Sequence, residues 1–423
     1  MLGGMAEALA MKGGPKAVPD GTIRPWPEID DYDRKLVMSS LEGAVHTHGP
    51  NCEALEKEFA AWNGSAHVLT CNSGTAALHM ALYACGAWCG DEVLVPAYTW
   101  PSSATCVLHH NAIPVFVDID FGTMNVDPDL IEAAITPRTK AIIVVHLHGL
   151  PVDMDRVMEI ARRKKLFVIE DCCQAQGATW RGKKVGLFGD CAAYSLNQNK
   201  VVCSGEGGMF ATEDGKKAEL ANHLRYFGEH REPSKSPDAR DYALGWMYRN
   251  NDLTAAWGRA QLAKADRNLK VMGEMAAVMT EALKGTPSLI LPGTIPGAGH
   301  NWYNYTIRFD MKALGHEGDA ARFRDRLVTA MCAEGVDTSV WQAFIVPEMT
   351  AIRAQNAYGH GCPWSCPHAG PVDYTPERFP RSLLHANTHT GMTTPLRHPN
   401  TPAVVELVAK GIRKVMEHAA EIP

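Results

Sequence analysis

Nothing in these 423 residues reaches the roughly 18 consecutive apolar residues of a membrane-crossing helix, so no membrane partner is expected. Positive charge is not in excess either. The 41 Lys and Arg stand against 47 Asp and Glu, a formal net charge of -6. That balance lacks the electrostatic footprint of a nucleic-acid or anionic-surface binder. Residues 1–19 have no basic segment leading into an apolar core, so a flexible N-terminal tail is expected rather than a secretory signal. Internal repeats and low-complexity tracts are missing too. Cysteine is plentiful, at 12, but a paired framework is not apparent. Cys172 and Cys173 are adjacent and most others sit in apolar runs, which suits reduced, buried thiols in a cytoplasmic protein.

One cluster invites a metal reading. His360-Gly361-Cys362-Pro363-Trp364-Ser365-Cys366-Pro367-His368 holds two Cys and two His in nine residues, a donor set zinc accepts. Structural zinc sites usually draw ligands from two separated knuckles, however, and two prolines stiffen this stretch. A structured loop without metal is the expectation.

What the chain does have is an ordinary globular composition, 46% hydrophobic and 21% charged. Its length suits one large unit and one smaller unit. From His67 onward, short apolar runs alternate with helical patterns. Strands are expected at His67–Thr70, Glu92–Pro96, Pro114–Asp118, Ala141–His146, Leu166–Asp171, Cys191–Leu196 and Met209–Thr212. Helices are expected at Ala76–Ala84, Ser102–His109, Asp127–Ala134 and Met154–Lys164. This rhythm argues for an α/β fold with a mostly parallel central sheet flanked by helices. The large unit is placed at residues 20–285. A smaller C-terminal α+β unit covers 286–423, with a strand at Trp302–Phe309, helices at Gly318–Glu334 and Val404–His418, and a long loop at about 345–390. Loops of that length tend to be functional.

In a parallel sheet the ligand crevice lies outside the carboxyl ends of the strands. Several chemistry-bearing residues are predicted there. Asp171 ends an apolar strand. Ser73-Gly74-Thr75 separates a strand from a helix N-terminus, where backbone N–H groups converge on an anion. His146 and His148 follow another strand end. Lys200 sits on the polar turn Ser195-Leu196-Asn197-Gln198-Asn199-Lys200, ahead of Gly205-Glu206-Gly207-Gly208. A lone lysine is most often a solvated surface residue. The sharper reading is a Schiff-base lysine, which forms an imine with an aldehyde cofactor. Pyridoxal phosphate needs that lysine, a carboxylate against its pyridine nitrogen, a phosphate cup and a flat group on its ring. Lys200, Asp171, Gly74-Thr75 with Ser195, and Trp100 supply these types in order.

Five ordered segments carry a resemblance: Ser73 to Leu78, Pro96-Ala97-Tyr98-Thr99-Trp100, Glu170 to Gly177, Gly186 to Asp190, and Ser195 to Gly208. Together they are similar to the DegT/StrS-type sugar aminotransferases, which are fold-type I, pyridoxal 5'-phosphate-dependent enzymes. The resemblance implies Lys200 as cofactor-binding lysine and proton shuttle, and Asp171 as partner of the pyridine nitrogen. It places Gln174 near the phenolic oxygen, Trp100 on the ring, and Gly74, Thr75 and Ser195 at the phosphate. It also implies amino transfer from glutamate or glutamine to a ketone of a sugar, nucleotide-sugar or cyclitol, in a homodimer with shared active sites.

There is a departure at Met247-Tyr248-Arg249, where the family's Asn-x-Arg keeps only the arginine. Asn250 and Asn251 lie beside it and read equally as helix-capping residues. Arg225, Arg231 and Lys235 are candidates for a pyrophosphate-bearing acceptor. Two other readings stay open: a dehydratase similar to aminohydroxybenzoate synthase, using the same lysine, and a non-catalytic sensor of this fold. Related sugar 3-dehydratases have histidine in place of the lysine, so Lys200 favours transfer.

Overall fold

The βα alternation between His67 and Thr212 closes into one seven-stranded sheet. The computed structural model describes residues 7–229 and 244–422. Strands β1 (His67–Cys71), β2 (Glu92–Pro96), β3 (Ile113–Val117), β4 (Thr139–Val145) and β5 (Phe167–Asp171) join Cys191–Ser195 and Gly208–Thr212. Across the sheet the order is β1, Gly208–Thr212, Cys191–Ser195, β5, β4, β2, β3. Only Gly208–Thr212 runs antiparallel to its neighbours, so the carboxyl ends of the other six share one edge.

Strands covered on both faces should read as continuous apolar runs rather than alternating ones. β2 does: all five residues of Glu-Val-Leu-Val-Pro are buried. Its one charge, Glu92, is neutralised by Arg138 at 2.7 Å. Helices α1 (Asp31–Glu42) and α2 (Pro50–Asn63) precede the sheet, and α3 (Gly74–Ala84) and α4 (Ser102–His109) follow β1 and β2. α3 is buried around most of its circumference, including Leu78, Met80 and Leu82 at 1% exposure or less. Truncating one of these to alanine is expected to cost about 2–5 kcal/mol.

The C-terminal part is built on a second, antiparallel sheet of Leu289–Ile290, Tyr305–Phe309 and His389–Met392. Helices Ala265–Leu283, Ala320–Ala333 and Pro402–Glu417 enclose a core that includes Met279, Ile307, Leu327 and Ile412. The strand expected from Trp302 begins only at Tyr305, because Trp302 takes a positive φ of 58° that no strand accommodates.

Two expectations are corrected. Residues 7–19 are not a loose tail: Leu9 and Val18 are each 1% exposed in the second core. The buried carboxylate of Glu334 accepts hydrogen bonds from the backbone of Ala10 (2.7 Å) and Ala17 (3.1 Å), which fixes the stretch. The 345–390 segment is also not a loop throughout. It contains helices Thr350–Arg353 and Pro380–Thr388, and its last residues enter the strand His389–Met392.

Candidate active site

A cavity of about 480 Å³ opens at the carboxyl ends of β1, β2, β4, β5 and Cys191–Ser195. That volume suits a small molecule with its cofactor. Each strand delivers its side chains where it stops, as a parallel sheet requires. After β1, the Ser73 hydroxyl caps α3 by accepting from Ala76 N–H at 3.1 Å. This leaves the Gly74–Thr75 end of the helix facing the cavity, with its positive dipole end. Gly74 is required here for space. A Cβ would stand 2.7 Å from Cys173 Sγ and 3.0 Å from Ser195 Cβ. The Thr75 hydroxyl shares a 2.7 Å hydrogen bond with that of Ser102.

Asp171 ends β5 and is 5% exposed, with its carboxylate on the cavity wall. Ser103 Oγ donates to one oxygen at 2.8 Å and Cys173 N–H to the other at 3.1 Å. The Thr99 hydroxyl donates to Ser103 in turn, at 3.0 Å. Such a carboxylate is held in one orientation while keeping lone pairs for a cationic partner. Gln174 is also on the wall. Its carbonyl oxygen accepts from His148 N–H at 2.7 Å, which directs its amide NH₂ away from that bond.

The lysine turn is braced from several sides. Lys200 N–H donates to Asn197 O at 2.8 Å, and Asn199 N–H to Asn197 Oδ1 at 3.1 Å. Asn197 Nδ2 reaches Glu206 at 3.0 Å, and Gln198 N–H reaches Gly205 O at 2.8 Å. The fully buried guanidinium of Arg397 donates to Asn199 O at 2.7 Å. The polar run before Lys200 therefore holds the turn, and Asn197 and Asn199 border the cavity as well. The Lys200 amine projects into the cavity, 3.2 Å from Tyr303 Oη and 4.5 Å from the centre of that ring.

Tyr303 and Trp341 were not foreseen as site residues; both come from the C-terminal half and close the cavity from above. The polar-aromatic run Asn301-Trp302-Tyr303-Asn304 is the one signal that marks Tyr303, and Trp341 carries none. Trp341 lies 6.0 Å from Trp100 at a 45° tilt, and edge-on to His148 at 5.1 Å. Trp100, 53% exposed, stands at the rim. Burial drives the His148 pKa well below the ordinary value, aided by His389, His300 and Lys200. Its ring is thus neutral beside the lysine.

Other sequence candidates resolve differently. Arg225 is buried in an ion pair with Glu56 (2.7 Å) and a bond to Thr70 O (2.7 Å), so it is committed to the fold. Arg231 and Lys235 lie outside the described residues. Asn251 caps helix Asp252–Leu262 by accepting from Thr254 N–H, and Asn250 bonds the Thr254 hydroxyl. Tyr248 O accepts from Asn72 N–H at 2.8 Å, bracing the turn before the phosphate cup. His146, Glu170 and Cys172 lie close enough together to suggest metal ligands. Yet His146 Nδ1 accepts from Val152 N–H and Nε2 donates to Glu170, whose oxygens also accept from Gly186, Phe188 and Gly189. Its donor atoms are consumed in holding the Gly186–Asp190 turn.

A helix N-terminus with close space at Gly74, an oriented carboxylate and a primary amine in one cavity are groups that fit the phosphate, pyridine nitrogen and aldehyde of pyridoxal phosphate. The family model described as the DegT/DnrJ/EryC1/StrS aminotransferase family matches residues 27–368. GDP-perosamine synthase of Caulobacter vibrioides is 38% identical over 316 residues, covering 74% of this chain and 82% of that protein. L-Glutamine:2-deoxy-scyllo-inosose aminotransferase of Streptomyces lividus is 37% identical over 331 residues, covering 74% and 77%. The solved structure of 3-amino-5-hydroxybenzoic acid synthase superimposes with a TM-score of 0.83 at 27% identity, covering 95% of this chain and all of that one. The α/β fold is that of the fold-type I pyridoxal phosphate enzymes. On this site and these matches, the chain belongs to the DegT/DnrJ/EryC1/StrS family and is a pyridoxal phosphate-dependent aminotransferase.

Proposed function

We propose that the enzyme moves an amino group from glutamate or glutamine to a ketone on a hydroxylated ring, a sugar, nucleotide-sugar or cyclitol, in biosynthesis of an amino sugar or aminocyclitol. The observation that carries the site assignment is the convergence of Lys200 Nζ, the Asp171 carboxylate and the Gly74–Thr75 helix end on one cavity. The substrate class is supported by relatives named for perosamine and scyllo-inosose chemistry.

When bound, pyridoxal phosphate supplies an electron sink for the carbon that loses its proton. Lys200 is the amine that would hold the cofactor aldehyde, and its Nζ is the base that would move the proton at the donor's α-carbon. Asp171, oriented by Ser103 and Cys173 N–H, would keep a proton on the pyridine nitrogen. Gly74, Thr75 and Ser195 would hold the phosphate, Gln174 would offer its amide to the phenolic oxygen, and Trp100 would cover the ring. The residues divide between a large unit, 20–285, and a smaller one, 286–423. A homodimer with shared sites belongs to the same reading. It is supported by the exposed apolar side chains Met38, Leu41 and Val45 on and after α1. A cytoplasmic location is also part of it; among the described residues no helix is long and apolar enough to cross a membrane.

The test is a two-step half-reaction. Glutamate or glutamine should bleach the visible band of the holoenzyme and release a keto acid. A panel of ketosugars, ketocyclitols and nucleotide ketosugars should then restore the band with one of its members. Lys200→Ala should abolish both steps, and retained turnover in that variant would defeat the assignment. Conversion of a ring substrate with no amino donor present would instead point to dehydration, the activity class suggested by the likeness to the benzoic acid synthase.

A further inference from the structure

The Cys/His-rich stretch expected as a structured loop is one, a chain of tight turns. Cys362 N–H bonds Gly359 O at 3.1 Å, Ser365 N–H bonds Gly361 O at 2.8 Å, and Cys366 N–H bonds Pro363 O at 3.0 Å. The segment covers the open edge of the large sheet beside β3. Tyr358 donates to Leu108 O at 2.8 Å, and Trp364 donates to Tyr374, which donates to Pro114 O at 2.7 Å. Its far end presses on the turn before β2, where a Cβ on Gly90 would stand 2.6 Å from His368 Cβ.

At that contact Cys366 Sγ lies 3.0 Å from Cys89 Sγ, although the two are 277 residues apart in sequence. The separation is closer than two non-bonded sulfurs rest. Among the described residues, no third Cys, His, Asp or Glu completes a tight donor set there, so geometry supplies a thiol pair rather than a zinc centre.

We propose that Cys89 and Cys366 form a site of reversible disulfide exchange with a small disulfide such as oxidised glutathione, and that the bond fastens the 357–375 segment to the large sheet. The Cys366 thiol is held below its ordinary value by the hydrogen bond with Cys89 and by N–H groups of His368 and Ala369, whereas Cys89 is pushed up to about 11, first by its bond with Cys366 and then by burial. Cys366 is accordingly the attacking thiolate. It attacks one sulfur of the glutathione disulfide; that S–S bond breaks and one glutathione leaves as thiolate. Cys89 then gives its proton to solvent and attacks Cys366 Sγ, expelling the second glutathione. Two protein thiols are oxidised and one glutathione disulfide is reduced to two thiols.

Selectivity follows from access together with thiol acidity. Seven of the other cysteines are buried, and burial pushes up the pKa of Cys173 in the cavity wall and of the exposed Cys332, which leaves the half-buried Cys362 as the competing thiol. The consequence reaches the active site through one run of chain. Shortly before the tethered segment, Trp341 enters the cavity, Gln342 Nε2 donates to Thr99 O at 2.6 Å, and Val346 N–H to Ala97 O at 2.9 Å.

The test treats intact holoenzyme with oxidised glutathione and maps peptides without reduction. The expected result is a Cys89–Cys366 cross-link and a Tm rise of about 3 °C or more, reversed by dithiothreitol. Cys89→Ser and Cys366→Ser should keep basal turnover and lose the Tm response. A Cys362–Cys366 cross-link, glutathione retained on Cys366 without pairing, or one tightly held zinc ion protecting these thiols would each overturn the proposal.

Discussion

The two walls of the cavity are made differently. The floor consists of strand ends: Gly74, Asp171, Ser195 and Lys200 each lie within a few residues of a buried strand that aims them. The roof consists of Tyr303 and Trp341, which are reached through irregular backbone and a cluster of buried aromatic and histidine rings. Floor atoms are tied by short hydrogen bonds to oriented donors, while ring packing adds to a few hydrogen bonds in holding the roof. On the proposed function, the chemistry of transamination is common to many acceptors and falls to the floor. On the same reading, recognition of one acceptor falls to the roof. Substitutions on the two sides should therefore separate in kind as well as in size.

The largest effect is expected at the floor. Asp171→Asn keeps the shape but removes the charge, and because its amide nitrogen donates rather than accepts it keeps only one of the bonds now received from Ser103 Oγ and Cys173 N–H. Single-turnover reaction with the amino donor should slow by roughly 10²–10⁴-fold while the cofactor remains bound. A loss below tenfold would show that the carboxylate does not govern the ring's protonation. Next comes Gly74→Ala. Its Cβ must displace Cys173 Sγ or Ser195, so cofactor affinity should weaken about tenfold or more, measured by equilibrium dialysis, with melting of the apoprotein little changed. Unaltered affinity would remove the helix end from the phosphate cup.

This division also explains what could be read from the chain. The floor was legible because each of its residues follows a short apolar run, and strand position plus residue type already names the chemistry. Helices Ser102–His109 and Met154–Lys164 and strand Glu92–Pro96 have the bounds their patterns indicate. The roof was not legible. Trp302 interrupts the strand pattern with a left-handed backbone, and Trp341 is one aromatic residue in a stretch without periodicity. The helix Pro380–Thr388, inside a stretch expected as loop, opens on a proline, which suits a helix's first position although it breaks the interior. The buried contacts of Leu9 and Val18 depend on a second core assembled from residues more than 250 positions away, which local pattern does not register.

A smaller effect should come from the roof. Trp341→Ala removes a ring packed against His148, Tyr98 and Trp100. The acceptor KM should rise roughly tenfold. The donor half-reaction should stay within about threefold of wild type, a split that separates acceptor recognition from shared chemistry. Equal losses in both half-reactions would erase the distinction between the walls.

The smallest expected effect concerns acid. Behind the roof, His385 is fully buried, edge-on to Tyr98 at 4.5 Å and stacked on His389 at 4.4 Å, and neither of its ring nitrogens has a hydrogen-bond partner in the protein. Among the described residues nothing bonds that ring, and burial drives its pKa well below the ordinary 6.5, with His389, His148 and Arg308 adding to the shift. Folded, the ring stays neutral; unfolded, it takes a proton as pH falls through 6.5, so the fold loses stability on the acid side of that value. The floor behaves otherwise. Glu170 pays a burial penalty that raises its pKa, but the hydrogen bond and charge of His146 and the N–H groups of Gly189 and Gly186 outweigh it, and the pKa ends below its ordinary 4.5. Its contribution is present above 4.5 and is lost only as pH falls lower. Mild acid should therefore weaken the roof first. His385→Phe keeps the ring packing and removes both the proton site and the unpartnered nitrogens. Thermal melting should show the variant at least as stable as wild type at pH 7.5. Between pH 7.5 and 6.0 the variant should lose about 1 kcal/mol less, and an equal or steeper acid loss would mean that His385 is not held neutral by the fold.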